Sequence, residues 1–126
     1  MKGNKKVLAS LSKLLVGELT SVHQYFLHSE VLYNWGLVKV GDRFRHEMEE
    51  ETGHARVIIK RMLFLETTPD LAKMDEIFVG KDIQEIYMAN LKYELTVKDR
   101  LKESISICED QQDYETRRLL EGLLKD

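Results

Sequence analysis

Glu51 and His54 stand three residues apart in the run Arg43-Phe44-Arg45-His46-Glu47-Met48-Glu49-Glu50-Glu51-Thr52-Gly53-His54-Ala55. Residues at that spacing share one face of a helix, about a turn apart, so a carboxylate and an imidazole there can hold a single cation. Phe44, Met48, Ala55, Ile58 and Met62 recur at intervals of three or four, which predicts a helix, and Glu51 falls on that apolar stripe. Arg43, Arg45 and His46 each precede an acid (Glu47, Glu49 and Glu50) by four residues, a spacing that gives those acids surface partners. Glu51 instead has Glu47 and Ala55 at those offsets. An unpaired carboxylate on a buried face is costly unless it takes up a proton, meets a partner from another helix or binds a metal. A Glu-x-x-His pair is the ligand set that helix bundles turn inward. A buried acid satisfied by a distant arginine is the alternative reading.

Two further acids lie on apolar stripes. Glu18 sits among Leu11, Leu14, Leu15, Val22 and Tyr25, and no cation is within reach on its own helix. Glu94 lies on the line Ile83, Tyr87, Leu91, Val97, Leu101, Ile105 and Cys108, with Lys98 four residues on as a possible surface partner. Three separate burials of charge are hard to sustain without a shared compensating cation. Oxygen ligands with an imidazole suit iron, manganese or zinc.

The elements that must carry these residues follow from the same periodicity. A first helix is expected from the Asn4 cap to about Trp35, with Leu8, Leu11, Leu14, Leu15, Val22, Tyr25, Phe26, Leu32 and Tyr33 facing the core. Gly36 ends it, and a short link through Gly41-Asp42 opens a second, antiparallel helix reaching about Leu65. The stretch from Glu66 to Lys81 holds the only proline, Pro69. A helix of roughly 24 residues is about 36 Å long, and 16 extended residues reach about 53 Å. The link can therefore return along the bundle and start a third helix beside the second, running parallel to it. Asp82 and Glu85 form a capping box for that helix, which is expected to end near Cys108. A fourth segment carries Tyr114, Leu119, Leu120, Leu123 and Leu124, and the sequence stops about four turns into it. The fold class is all-α, a four-helix bundle in one domain over 1–126, with one long crossover between the second and third helices.

Composition narrows the function classes. Charged residues make up 33% and apolar ones 43%, with seven glycines, which suits a helical protein without membrane-length apolar runs. A net charge of −3 argues against nucleic acid as a partner. Cys108 stands alone, as expected in a reducing cytoplasm. The lysines at 2, 5 and 6 precede an apolar run broken by Lys13 and Glu18, a poor secretory signal.

Ferritin-like di-iron bundles use a Glu from each of two helices and a Glu-x-x-His from each of the other two. Glu18 and Glu94 match the single acids, and Glu51 with His54 matches one pair. The opening run MKGNKKVLASLSKLLVGELTSVHQYFLHSEVLYNWGL resembles the start of the bacterioferritins. So do HEMEEETGHA, RMLFLE, LKYELTVKDRLKESI and QDYETRRLLEGLL, and the resemblance spans the chain without gaps. It implies an iron-storage subunit of a hollow cage of about 24 chains, as a homo- or hetero-oligomer. A di-iron centre in each subunit would oxidise Fe(II) with O2 or peroxide, and ferric mineral would be stored. On the same resemblance Glu18, Glu51 and His54 are ligands of the first iron, with Glu51 bridging, and Glu94 is a ligand of the second. Tyr25 matches a tyrosine beside the centre, and His46 with Glu50 matches an inner-surface iron site where the family more often has Asp at the second position.

Two departures shape the expectation. Haem-carrying members have an axial methionine directly after the bridging glutamate, and this chain has Thr52 there, which implies a haem-free subunit. The family's second Glu-x-x-His and short fifth helix would lie beyond Asp126, so the chain is expected to be cut short in its fourth helix. A non-catalytic cage subunit without a complete di-iron site is the alternative function. A haem electron carrier and a di-iron oxidase outside the ferritins are weaker rivals. His46-Glu47 does not extend to a His-Glu-x-x-His protease motif, because position 50 is Glu. His23 and His28, five apart, are expected at the surface. Met48 and Met62 read as core, and Cys108 reads as structural.

Overall fold

The computed structural model describes residues 1–125. Four helices follow one another: α1 (Lys5–Asn34), α2 (Val38–Phe64), α3 (Ile83–Asp110) and α4 (Tyr114–Leu124). Asn4 caps α1 by accepting from the Lys6 and Val7 amides, which would otherwise lack an intrahelical partner. At α3, Asp82 Oδ1 accepts from the Glu85 amide at 2.9 Å, while the Glu85 carboxylate reaches back to the Lys81 amide at 3.1 Å.

The second helix begins earlier than the sequence suggests. Gly36 makes the turn alone, at φ +81°, a left-handed conformation open to glycine. Gly41, expected in the link, instead lies in the first turn of α2 under the Tyr33 ring. A Cβ there would sit 2.7 Å from ring carbons. The close approach lets Tyr33 donate to Asp42 Oδ1 at 2.5 Å.

At the opposite end, the Gly3 amide donates to the Leu65 carbonyl at 3.1 Å, closing the α1–α2 hairpin. From there the crossover climbs along α1. The Asp75 amide donates to Thr20 Oγ1 at 3.0 Å, and the Phe78 amide donates to Gln24 Oε1 at 2.9 Å. Tyr93 and Arg100 of α3 hold the Asp75 carboxylate at 2.6 and 2.7 Å. The third helix thus runs parallel to α2, as expected, but its packing neighbours are α1 and α4 rather than α2. In a four-helix arrangement the parallel partner is the diagonal one.

One apolar cluster joins Val7, Leu11, Leu14, Ala55, Ile58, Met62, Leu101, Cys108 and Leu120. A second, at the other end, joins Tyr25, Leu32, Phe44 and Ile86. Four inward assignments of apolar residues differ from this. Phe26 is exposed. So are Ile83, Tyr87 and Leu91, because 11 residues of α4 rise only about 16 Å and cover the C-terminal half of α3. The N-terminal half of α3 packs on α1, so its buried line turns to Ile86 and Asn90.

Candidate metal centre

Glu18 comes from the middle of α1, and Glu51 and His54 come from the middle of α2. The antiparallel hairpin brings them together: one ligand atom from each lies within 4.8 Å of the others. His54 Nδ1 is 3.7 Å from Glu18 Oε2 and 3.7 Å from Glu51 Oε2. Glu18 is 2% exposed, and its Oε2 has no hydrogen-bond partner. No arginine neutralises it, so the alternative of a distant guanidinium does not apply to this acid among the described residues.

Electrostatics follow from this crowding. Burial pushes the Glu18 carboxyl up to about 8, His54 works against the rise and Glu51 adds to it. Burial also acts to raise Glu51, but His54 and Glu18 outweigh it and hold Glu51 below the ordinary carboxylate range. Glu18 and then Glu51 draw His54 up to about 10, against the effect of burial. Without metal the cluster therefore carries extra protons, the substitute for a cation that buried carboxylates require.

A cavity of about 300 Å³ opens from this cluster, lined by Glu18, Glu47, Glu50, Glu51, His54 and Glu94. Glu94 faces this cavity from α3 but is solvent-exposed, contrary to its expected burial, because α4 stops short of this level. It lies outside the tight three-residue cluster. Its Oε1 accepts a short hydrogen bond from the Tyr25 hydroxyl, and burial of its surroundings raises its pKa. Tyr25 itself is buried edge-on against Phe44. His46 Nε2 and Glu50 Oε1 pair at 3.0 Å on the exposed face of α2, the one i,i+4 pair of the three expected there that closes. Thr52 turns its hydroxyl back to the Met48 carbonyl at 2.8 Å. Cys108 is buried, and burial pushes its thiol up to about 11, as a structural cysteine requires.

His28 is the main correction. Expected at the surface, it is fully buried beside Asn90 and the Phe44 ring, while His23 is exposed. The missed signal was its place on the stripe of Gln24, Tyr25 and Leu32, where burial follows from position whatever the residue type.

Inward carboxylates and one imidazole on facing helices, within a bundle with one long crossover, are the pattern of the ferritin-like carboxylate bundles. The chain matches the Ferritin-like domain family over residues 8–126. It is 50% identical to a bacterial ferritin of Synechocystis sp. over 126 residues, all of this chain and 81% of that protein. It is 44% identical to the bacterial ferritin of Neisseria meningitidis serogroup B over the same lengths. Identity to a bacterioferritin of Mycobacterium avium is 36%, over all of this chain and 79% of that protein. The chain belongs to the ferritin family. Among the described residues no helix is long and apolar enough to cross a membrane.

Proposed function

We propose that this chain is a haem-free subunit of a cytoplasmic bacterial-ferritin cage that oxidises Fe(II) at a carboxylate–histidine centre and passes the ferric product to storage. The observation that carries the reading is the orphaned oxygen of Glu18, buried and facing Glu51 and His54. A buried carboxylate oxygen with no hydrogen-bond partner beside another acid is destabilising in the metal-free protein. Such a group persists where a ligand compensates it. Two carboxylates and one imidazole fit a divalent first-row metal and leave coordination positions open.

Iron is here both substrate and cargo. Glu18, Glu51 and His54 would hold the first Fe(II). Glu51 would be shared with a second held by Glu94, which Tyr25 orients through its hydroxyl. Negative oxygen ligands favour Fe(III) over Fe(II) electrostatically, so the site draws each iron toward losing one electron. Two Fe(II), one O2 and two protons give two Fe(III) and one H2O2. His54, protonated without metal, must release its proton for its nitrogen to ligate. Glu50, which lines the same cavity, and His46, paired with it on the exposed face of α2, would bind iron in transit.

The test is aerobic Fe(II) addition to the purified protein. A ferric absorbance rise faster than autoxidation, abolished in Glu18→Ala, is the expected result. Equal rates in both proteins would refute the reading. The grouping of Glu18, Glu51 and His54 without Glu94 favours a second reading, a non-catalytic cage subunit that holds one metal per chain. A single Co(II) per chain, with no oxidation above autoxidation, would select it.

A further inference from the structure

Below Glu94, the α1–α3 contact is built from Val97, Leu101, Ser104 and the Arg100 guanidinium, which donates to the Lys13 carbonyl at 3.3 Å. Above it, in the half of α3 that carries Glu94, Ile86 and Asn90 are the buried side chains. Ile86 packs in the upper apolar cluster and sets no hydrogen-bond geometry. Asn90 does, because its bonds are directional.

Its carboxamide is fully used. Asn90 Nδ2 donates to the Ile86 carbonyl at 2.8 Å. A carbonyl only accepts, so that contact fixes which end of the amide carries nitrogen. The second Nδ2 hydrogen then points at His28 Nδ1, 2.8 Å away. His28 Nδ1 must accept it, which makes the ring neutral with its proton on Nε2. Burial lowers the His28 pKa, consistent with that state. Asn90 Oδ1 accepts from Gln24 Nε2 at 3.2 Å, and Gln24 Oε1 takes the Phe78 amide. One side chain of α3 is thus clamped between two successive turns of α1 and, through Gln24, to the crossover. Glu94 lies one turn further along the same face, and Tyr25 is the residue after Gln24.

We propose that Asn90 is a positioning residue of the centre: clamped by Gln24 and His28, it sets the rotation and height of α3 that present Glu94 to Tyr25 and to the Glu18 cavity. This rests on the reading of Glu94 as a metal ligand, and the experiment separates the two. Anaerobic Co(II) titration of the assembled protein, followed by visible absorption, reports the metal steps without turnover.

The wild type is expected to bind in two steps, with Glu94→Ala removing the weaker. Asn90→Leu keeps the volume and removes every directional bond. It should weaken that same step about tenfold, the equivalent of about 1.4 kcal/mol, and leave the tighter step unchanged. Gln24→Met removes one arm of the clamp and gives a smaller loss in the same step, should Asn90→Leu fail to fold. Asn90→Asp should recover part of the affinity: a carboxylate still accepts from Gln24 and from a protonated His28, but it turns an acceptor toward the Ile86 carbonyl. The rescued protein should then carry a protonated His28, visible in its ring nitrogen shifts. A purely structural role would lower both metal steps together or neither, and would show no such rescue. If Glu94→Ala weakens the second step while Asn90→Leu and Gln24→Met leave it untouched, the positioning proposal is overturned. If Glu94→Ala itself changes nothing, the reading of the centre fails and the proposal falls with it.

Discussion

Replacing Glu18 by glutamine keeps its shape and removes the charge that a cation would have to balance. Its folded pKa of about 8 lies above the ordinary 4.5. Stability from this group is therefore present in full below the unfolded pKa and is lost as pH rises toward 8. At pH 7 roughly 2.5 units of that loss apply, or about 3 kcal/mol at ~1.4 kcal/mol per unit. That figure already includes the opposing effect of His54, 3.7 Å away. Glu18→Gln should therefore stabilise the metal-free protein by up to about 3 kcal/mol at pH 7, a rise in Tm of roughly 10–15 °C for a chain of this size. The gain should vanish near pH 4.5 and be complete by pH 8. Metal acts the other way. A cation at a thousand times its Kd adds about 4.1 kcal/mol to the wild type, and the variant should gain little. Thermal unfolding followed by circular dichroism, in EDTA and with Co(II), at pH 4.5, 7 and 8, measures all of this. A metal-free variant less stable than wild type at pH 7, or an equal Co(II) shift in both proteins, would refute the reasoning.

The crossover depends on Asp75. Burial opposes its ionisation, but the Tyr93 hydroxyl and Arg100 guanidinium outweigh it and hold the pKa below the ordinary value. Its contribution is therefore present above about pH 4 and fades as pH falls further. Asp75→Asn should cost about 1 kcal/mol at pH 7, discounted for its partial exposure, and should speed proteolysis within residues 66–81. Gly41→Ala should destabilise by about 1–2 kcal/mol through the Tyr33 ring. In a Tyr33→Ala background the same change should instead stabilise by up to about 1 kcal/mol, the helix preference of alanine over glycine. Tyr25→Phe should slow Fe(II) oxidation while changing stability by less than about 1 kcal/mol, because water can replace the hydroxyl at exposed Glu94. Unchanged oxidation in that variant would remove Tyr25 from the centre.

Periodicity alone located Glu18 and Glu51 on inward faces and paired Glu51 with His54. Ligand spacing within a helix is fixed by 3.6 residues per turn and needs no tertiary information. The caps at Asn4 and Asp82, the crossover and the core of Leu11, Ile58 and Met62 were legible for the same local reason. What the tertiary structure decided is which helices touch and how far along. It placed α3 against α1 with α2 on the diagonal, left Glu94 open where α4 does not reach, and turned the upper face of α3 toward Asn90. It also buried His28, which its five-residue spacing from His23 assigns to the surface. A stripe in sequence states that a face is apolar. Only packing states what covers that face, because burial belongs to the neighbour as much as to the residue.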